Sequence, residues 1–228
     1  KPFTFLMDAS MVGVGVGFDT KGAESFIIRG PNEDRGEELY VIPDTREGWV
    51  ESVRRLLDSY FLGTAPMKFD YTTIRPAGDP IKGFGGISSG YKPLKEVHGL
   101  IITVLDKNIA EPISITTIVD IMNMIGKCVV AGNVRRTAEI VCGDPYDIEY
   151  IDLKNYKVNP ERSGHGWTSN NSIYAELGME YSSISERILN NGEPGFAWLE
   201  NMRGYGRMKN GMDFKDHRAA GGNPCLEQ

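Results

Sequence analysis

The chain has 228 residues, 40% of them hydrophobic and 25% charged, a balance that excludes a disordered chain and suits a folded protein with a sizeable core. Lys+Arg 25 against Asp+Glu 31 gives a net charge of −6, which argues against non-specific nucleic-acid binding, because that needs a basic face to displace phosphate counterions. Asp8, Asp120 and Lys127 break the apolar stretches before any could span a bilayer, and no secretory leader pattern stands out, so no membrane partner and a cytoplasmic location are expected.

In chain order, the opening Pro2–Leu6 is apolar at once, and Gly13-Val14-Gly15-Val16-Gly17 follows. The glycine run is not G-x-G-x-x-G, because Phe18 breaks the spacing; alternation with valine predicts a strand whose small face presses against another backbone. Further strands are expected at Val14–Phe18, Ser25–Ile28, Lys68–Tyr71, Thr137–Cys142 and Ser172–Leu177. Residues 30–48 are the most polar and read as a surface excursion, not a domain boundary. An apolar stripe from Trp49 through Val53, Leu56, Leu57 and Tyr60 predicts a helix over 49–62, with Asp44 or Thr45 as cap and Gly63 as stop. A second helix is expected over about 93–109 and a third after Pro112 with Ser114 as cap. Weaker helices are expected over about 182–190 and 195–204. Strands alternating with helices predict an α/β fold with parallel strands joined by crossovers.

Four places carry candidate chemistry. The loop from Ile74 to Gly90 is glycine-rich and holds Arg75, Asp79 and Lys82, a backbone and cation mix able to cradle an anion or to be a plain surface loop. Gly132-Asn133-Val134-Arg135-Arg136-Thr137 joins a helix to a strand, with adjacent arginines suited to phosphate or to surface carboxylates. The closing Gly221-Gly222-Asn223-Pro224-Cys225-Leu226-Glu227-Gln228 is predicted extended, because Pro224 disfavours helix at Asn223. Alternate residues then share a face, which presents the Asn223 amide, the Cys225 thiol and the Glu227 carboxylate together. That set offers a reactive sulfur, an acid/base group and an orienting donor, set against the commoner fate of a lone buried cysteine. Cys128 and Cys142 lack such company and read as structural; with no C-x-x-C and with His98, His165 and His217 scattered, no metal site held by protein side chains is expected.

Asn223-Pro224-Cys225-Leu226-Glu227 resembles the finger-loop motif of ribonucleotide reductase large subunits. Ile74–Gly83 is similar to that family's loop 1, Gly132–Ala138 to its loop 2, and Gly192-Glu193-Pro194-Gly195 to a further family motif. Pro2–Asp8, Gly13–Gly22 and Cys128–Arg136 look most like the adenosylcobalamin-dependent ribonucleoside-triphosphate reductases. The resemblance implies that residues 1–228 are the first half of a ten-stranded α/β barrel, an internal piece of a longer chain ending on the central finger loop. It implies reduction of ribonucleotides, triphosphates by the branch, to 2′-deoxyribonucleotides. Cys225 would be the thiyl that takes the 3′ hydrogen, Glu227 the base for the 3′-hydroxyl proton, and Asn223 the hydrogen-bonding partner of the ribose. Adenosylcobalamin would generate the radical, and a thioredoxin-type dithiol would supply the electrons through cysteines outside this chain. A deoxynucleoside triphosphate effector would bind near Arg75, Asp79 and Lys82. It would act on the substrate through the loop of Asn133, Arg135 and Arg136. The alternatives are a reductase taking its radical from a separate metal-containing subunit, and a catalytically inactive nucleotide-binding regulator.

Overall fold

In the computed structural model, residues 1–82, 86–132, 137–205 and 211–224 are described. The chain divides into two compact units: Lys1–Val14 with Gly22–Thr137, and Gly15–Lys21 with the residues from Ala138 onward.

The first unit is mainly helical. Helix α1 (Pro2–Met11) begins on a proline, whose fixed φ suits the first turn, and buries Leu6 and Met7. It packs on α2 (Arg46–Leu62) and α4 (Ile115–Ala131); α3 (Lys92–Asp106) packs on the same two. The stripe read from sequence is the buried face of α2, with Val53, Leu56, Leu57 and Tyr60 all at 5% exposure or less. Thr45 is the cap: its hydroxyl accepts the Gly48 N–H at 3.0 Å, and Gly63 ends the helix with a left-handed φ of 64°. Ser114 caps α4 by accepting the Thr117 N–H at 3.0 Å. Helix α4 is buried on nearly every side, as its run of Val, Ile and Met dictates.

Two strands stand in the polar stretch and after α2: β2 (Glu38–Val41) and β3 (Met67–Asp70), paired in parallel with α2 as their crossover. The sequence hid β2 because Leu39 and Val41 are 57% and 46% exposed, so no buried alternation marks it. The strand expected at Ser25–Ile28 does not form. Ala23–Ser25 is a 3₁₀ turn, and only an isolated antiparallel bridge joins Ile27 to Pro112. Three backbone hydrogen bonds around that bridge satisfy the segment, which is too short to extend a ladder.

A buried histidine ties α2, α3 and the residue after β3 together. Ser52 Oγ donates to the Trp49 carbonyl at 2.7 Å, so it must accept from His98 Nε2 at 3.0 Å; Tyr71 then donates its hydroxyl to Nδ1 at 2.7 Å. The chain of donors fixes the neutral Nε2–H tautomer, and the ring stacks on Phe69 at 4.2 Å.

The second unit is built on a four-stranded parallel sheet in the order β1 (Val16–Asp19), β4 (Glu139–Gly143), β5 (Ser169–Tyr174), β6 (Gly195–Ala197). Val16 pairs with Glu139, Glu139 with Ser169, and Ser172 with Gly195. Helices α5 (Ile148–Ile151), α6 (Ser182–Asn191) and α7 (Leu199–Gly204) lie between and after the strands. The helix expected over 195–204 is a strand followed by a short helix, because Gly195-Phe196-Ala197 joins the ladder of β5 before the chain turns at Trp198. Along the chain, the residues between β1 and β4 contain all of the first unit except its opening helix.

Candidate functional site

The described residues on either side of 83–85 in the Ile74–Gly90 segment pair with each other. Pro80 bridges Ile87 in antiparallel fashion, Ile81 N–H donates to the Gly86 carbonyl at 3.0 Å, and Ser88 N–H donates to the Asp79 carbonyl at 2.8 Å. This hairpin walls a cavity of about 360 Å³ in the first unit, whose apolar side includes Ile74, Trp49 and Val129. Arg75 lines it, donating to Asp44 at 2.7 Å and to the Pro80 carbonyl at 3.1 Å. Arg46 lines it too, paired with Asp8 at 3.3 Å and Glu47 at 2.9 Å. An apolar wall beside two guanidinium groups suits a flat ring joined to an anion, and the size is that of a small-molecule pocket. An incoming anion would have to share each arginine with a carboxylate. Asp79 and Lys82 are exposed on the hairpin and do not line this cavity. Gly132 lines it, and the loop 2 residues Asn133, Arg135 and Arg136 lie outside the described residues; Thr137, which follows, donates its hydroxyl to Ser10 Oγ at 2.8 Å.

A second cavity, about 370 Å³, lies in the sheet unit against β1 and the segment that carries Asn223. Its lining includes Gly17, Asp19, Cys142 and Ala220–Asn223. The segment is held by its own carbonyls. Arg203 Nε donates to Ala219 O at 2.9 Å, and the Tyr174 hydroxyl donates to Ala220 O at 2.8 Å. At Gly222 it meets β1 directly: a Cβ added at Gly17 would sit 2.0 Å from the Gly222 carbonyl oxygen. The close backbone approach read from the Gly-Val alternation is therefore real, and its partner is the backbone at Gly222.

Asn223 Oδ1 is buried with no hydrogen-bond partner among the described residues. A buried acceptor left unpaired costs about 1–3 kcal/mol, so a hydroxyl donor arriving in this cavity would gain by meeting it. Cys225 and Glu227, its expected companions, lie outside the described residues. Cys142 is 3% exposed, and burial followed by the Asp19 carboxylate pushes its thiol up to about 11, so it stays protonated and a poor nucleophile. Cys128, pushed up to about 12 by burial and then by Glu96, is likewise inert. Sequence reasoning missed Asp19, Tyr174 and Arg203; only the glycine run pointed at this part of the chain.

Comparison with known proteins points in one consistent direction. A family model described as the insertion domain of B12-dependent ribonucleotide reductase matches residues 20–105. The chain is 59% identical over 244 residues to a probable adenosylcobalamin-dependent ribonucleoside-triphosphate reductase of Dictyostelium discoideum, covering 100% of this chain and 32% of that protein. It is 55% identical over 227 residues to the adenosylcobalamin-dependent ribonucleoside-triphosphate reductase of Euglena gracilis, covering 100% of this chain and 31% of that one. Among solved structures, a crystal structure of a B12-dependent (class II) ribonucleotide reductase matches with a TM-score of 0.83 and 31% identity, over 98% of this chain and 36% of that chain. The chain thus spans about a third of the length of the curated relatives it matches.

Proposed function

We propose that these residues are part of an adenosylcobalamin-dependent ribonucleoside-triphosphate reductase, the family whose members they resemble from end to end in sequence and fold. What carries the reading is that likeness: 59% identity covering 100% of the chain, and a fold match at a TM-score of 0.83. The parallel sheet belongs to the first half of a ten-stranded barrel, and the segment at Asn223 leads into its finger loop. A ribonucleoside triphosphate is reduced at its 2′ carbon while a thioredoxin-type dithiol is oxidised. Cys225, as a thiyl, takes the 3′ hydrogen; Glu227 takes the 3′-hydroxyl proton; Asn223 Oδ1, buried and without a partner among the described residues, accepts from a ribose hydroxyl. Inside a water-poor pocket these groups meet only the sugar.

Adenosylcobalamin supplies a radical by homolysis of its cobalt–carbon bond. Neither cavity among the described residues, at about 360 and 370 Å³, has room for a corrin and its arms. In this reading the segment provides the loop that receives the radical. A deoxynucleoside triphosphate effector binds the first-unit cavity, its phosphates shared between Arg75 and Arg46, with Lys82 and Asp79 at the rim of the hairpin. Gly132 lets the state of that cavity reach Asn133, Arg135 and Arg136. No helix among the described residues is long and apolar enough to cross a membrane. On this reading the enzyme acts in the cytoplasm, as the family resemblance implies.

The test is the full-length protein with and without Cys225→Ser. Product formation should need added adenosylcobalamin and a dithiol, need no second subunit, and vanish in the variant. Normal deoxynucleotide formation by Cys225→Ser would remove the radical assignment, and activity that ignores cobalamin but needs a metal subunit would move the protein to the other branch.

A further inference from the structure

We propose that Tyr174, Arg203 and Gly17 are positioning residues for the finger loop, fixing three neighbouring backbone carbonyls so that Asn223 and the residues after it reach the substrate in one register. The inference rests on the reading of Asn223, Cys225 and Glu227 given above.

Three elements converge on three residues of the stretch Ala219–Gly222. The last residue of β5, Tyr174, donates to Ala220 O at 2.8 Å. Arg203, from α7, donates to Ala219 O at 2.9 Å. Gly17 of β1 leaves the Gly222 carbonyl oxygen at a place where a methyl group would clash at 2.0 Å. All three contacts fall on backbone carbonyls, so each acts on the path of the main chain. The Tyr174 hydroxyl stays protonated, since burial and then the neighbouring Asp19 carboxylate raise its ionisation well above neutrality. Lys21 holds the ring from its face, with Nζ 4.6 Å from the centroid. These anchors sit one to four residues before Asn223. A loop so held loses little further freedom when a substrate arrives, which is how a scaffold lowers the cost of a productive geometry. Angstrom-scale looseness there would separate the sulfur from the hydrogen it must take without changing which groups bind the nucleotide.

The experiment uses the full-length protein carrying Tyr174→Phe, Arg203→Lys and Gly17→Ala singly, with Tyr146→Phe, an exposed tyrosine elsewhere, as control. Two quantities are read. The first is kcat and KM for the ribonucleotide with saturating cofactor. The second, in the absence of cofactor and substrate, is the rate at which Cys225 is alkylated by iodoacetamide, followed by mass spectrometry of its peptide. Tyr174→Phe should lower kcat at least tenfold with KM within threefold, and should speed Cys225 alkylation at least threefold. Gly17→Ala should do both more strongly, Arg203→Lys less, and Tyr146→Phe neither. Unchanged kcat and unchanged alkylation in Tyr174→Phe overturn the proposal, whatever Gly17→Ala does to folding; so does a rise in KM alone. If the parent protein makes no deoxynucleotide, the functional reading fails, while the alkylation rates still decide whether the anchors hold the loop.

Discussion

His98 and Glu139 are both buried ionisable residues, and they load stability onto pH in opposite directions. His98 is 2% exposed with both ring nitrogens occupied in the neutral form, and burial lowers its pKa from 6.5 to about 3. A base with a depressed native pKa contributes stability that is present above about 6.5 and is lost as pH falls towards 3. Glu139, at the start of β4, is 1% exposed, and neither carboxyl oxygen has a hydrogen-bond partner among the described residues. Desolvation raises it well above 4.5, and the positive charge of Lys154 offsets this only in part. A carboxyl with a raised native pKa keeps its full stability below 4.5 and loses it as pH rises through the native value. Urea unfolding from pH 4 to pH 8 should therefore show two opposite variants. His98→Asn should be less stable than the parent at pH 8, with the gap narrowing towards pH 4. Glu139→Gln should be at least as stable as the parent at pH 8, with the gain vanishing near pH 4. A Glu139→Gln loss of several kcal/mol at pH 8 would mean the carboxylate is paired and charged.

Element by element, sequence and structure agree where one face of a helix is buried and disagree where it is not. The α2, α3 and α4 helices were legible because their apolar residues recur at 3.6 spacing and because Thr45 and Ser114 announce their starts. Ser114→Ala should cost about 1 kcal/mol and Ser114→Asp close to nothing, read from the urea midpoint. The burial of Thr117 at 3% places this cap in a packed region, so a cost near zero would contradict the role assigned to its hydroxyl. The β2 strand is hidden because its exposed residues carry no alternation, and Ser25–Ile28 is no strand because three apolar residues without a long partner make a bridge and not a ladder. The Gly195–Ala197 strand differs from the helix expected there because three residues, Gly-Phe-Ala, are too few to show a period of two.

For the molecule as a whole, the order of the sheet could not be read in advance. β1 neighbours β4, with two strands of another sheet and four helices' worth of chain intervening or preceding, and nothing local in Val16–Asp19 names Glu139–Cys142 as its partner. The proposed chemistry-bearing end was read from residue type and spacing alone, and of Asn223, Cys225 and Glu227 only Asn223 lies among the described residues. The supports Tyr174 and Arg203 come from β5 and α7, distant in sequence, and only the fold gathers them. The effector reading carries a consequence at this scale. A ligand that binds only the folded protein raises its unfolding temperature, by an amount set by ligand concentration over Kd. Deoxynucleoside triphosphates should raise the thermal midpoint of the full-length protein, and Arg75→Ala should suppress that rise at least tenfold in ligand concentration. An unchanged dose response would place the effector elsewhere.

The contact between Gly17 and the Gly222 carbonyl is main chain against main chain. Such a seat is blind to cargo: β1 cannot sense which side chains follow on the loop, only whether the ribbon passes at the right depth. Exchanging a thiol for a hydroxyl three residues further on leaves the berth undisturbed, and silence in that variant can be attributed to the missing sulfur itself.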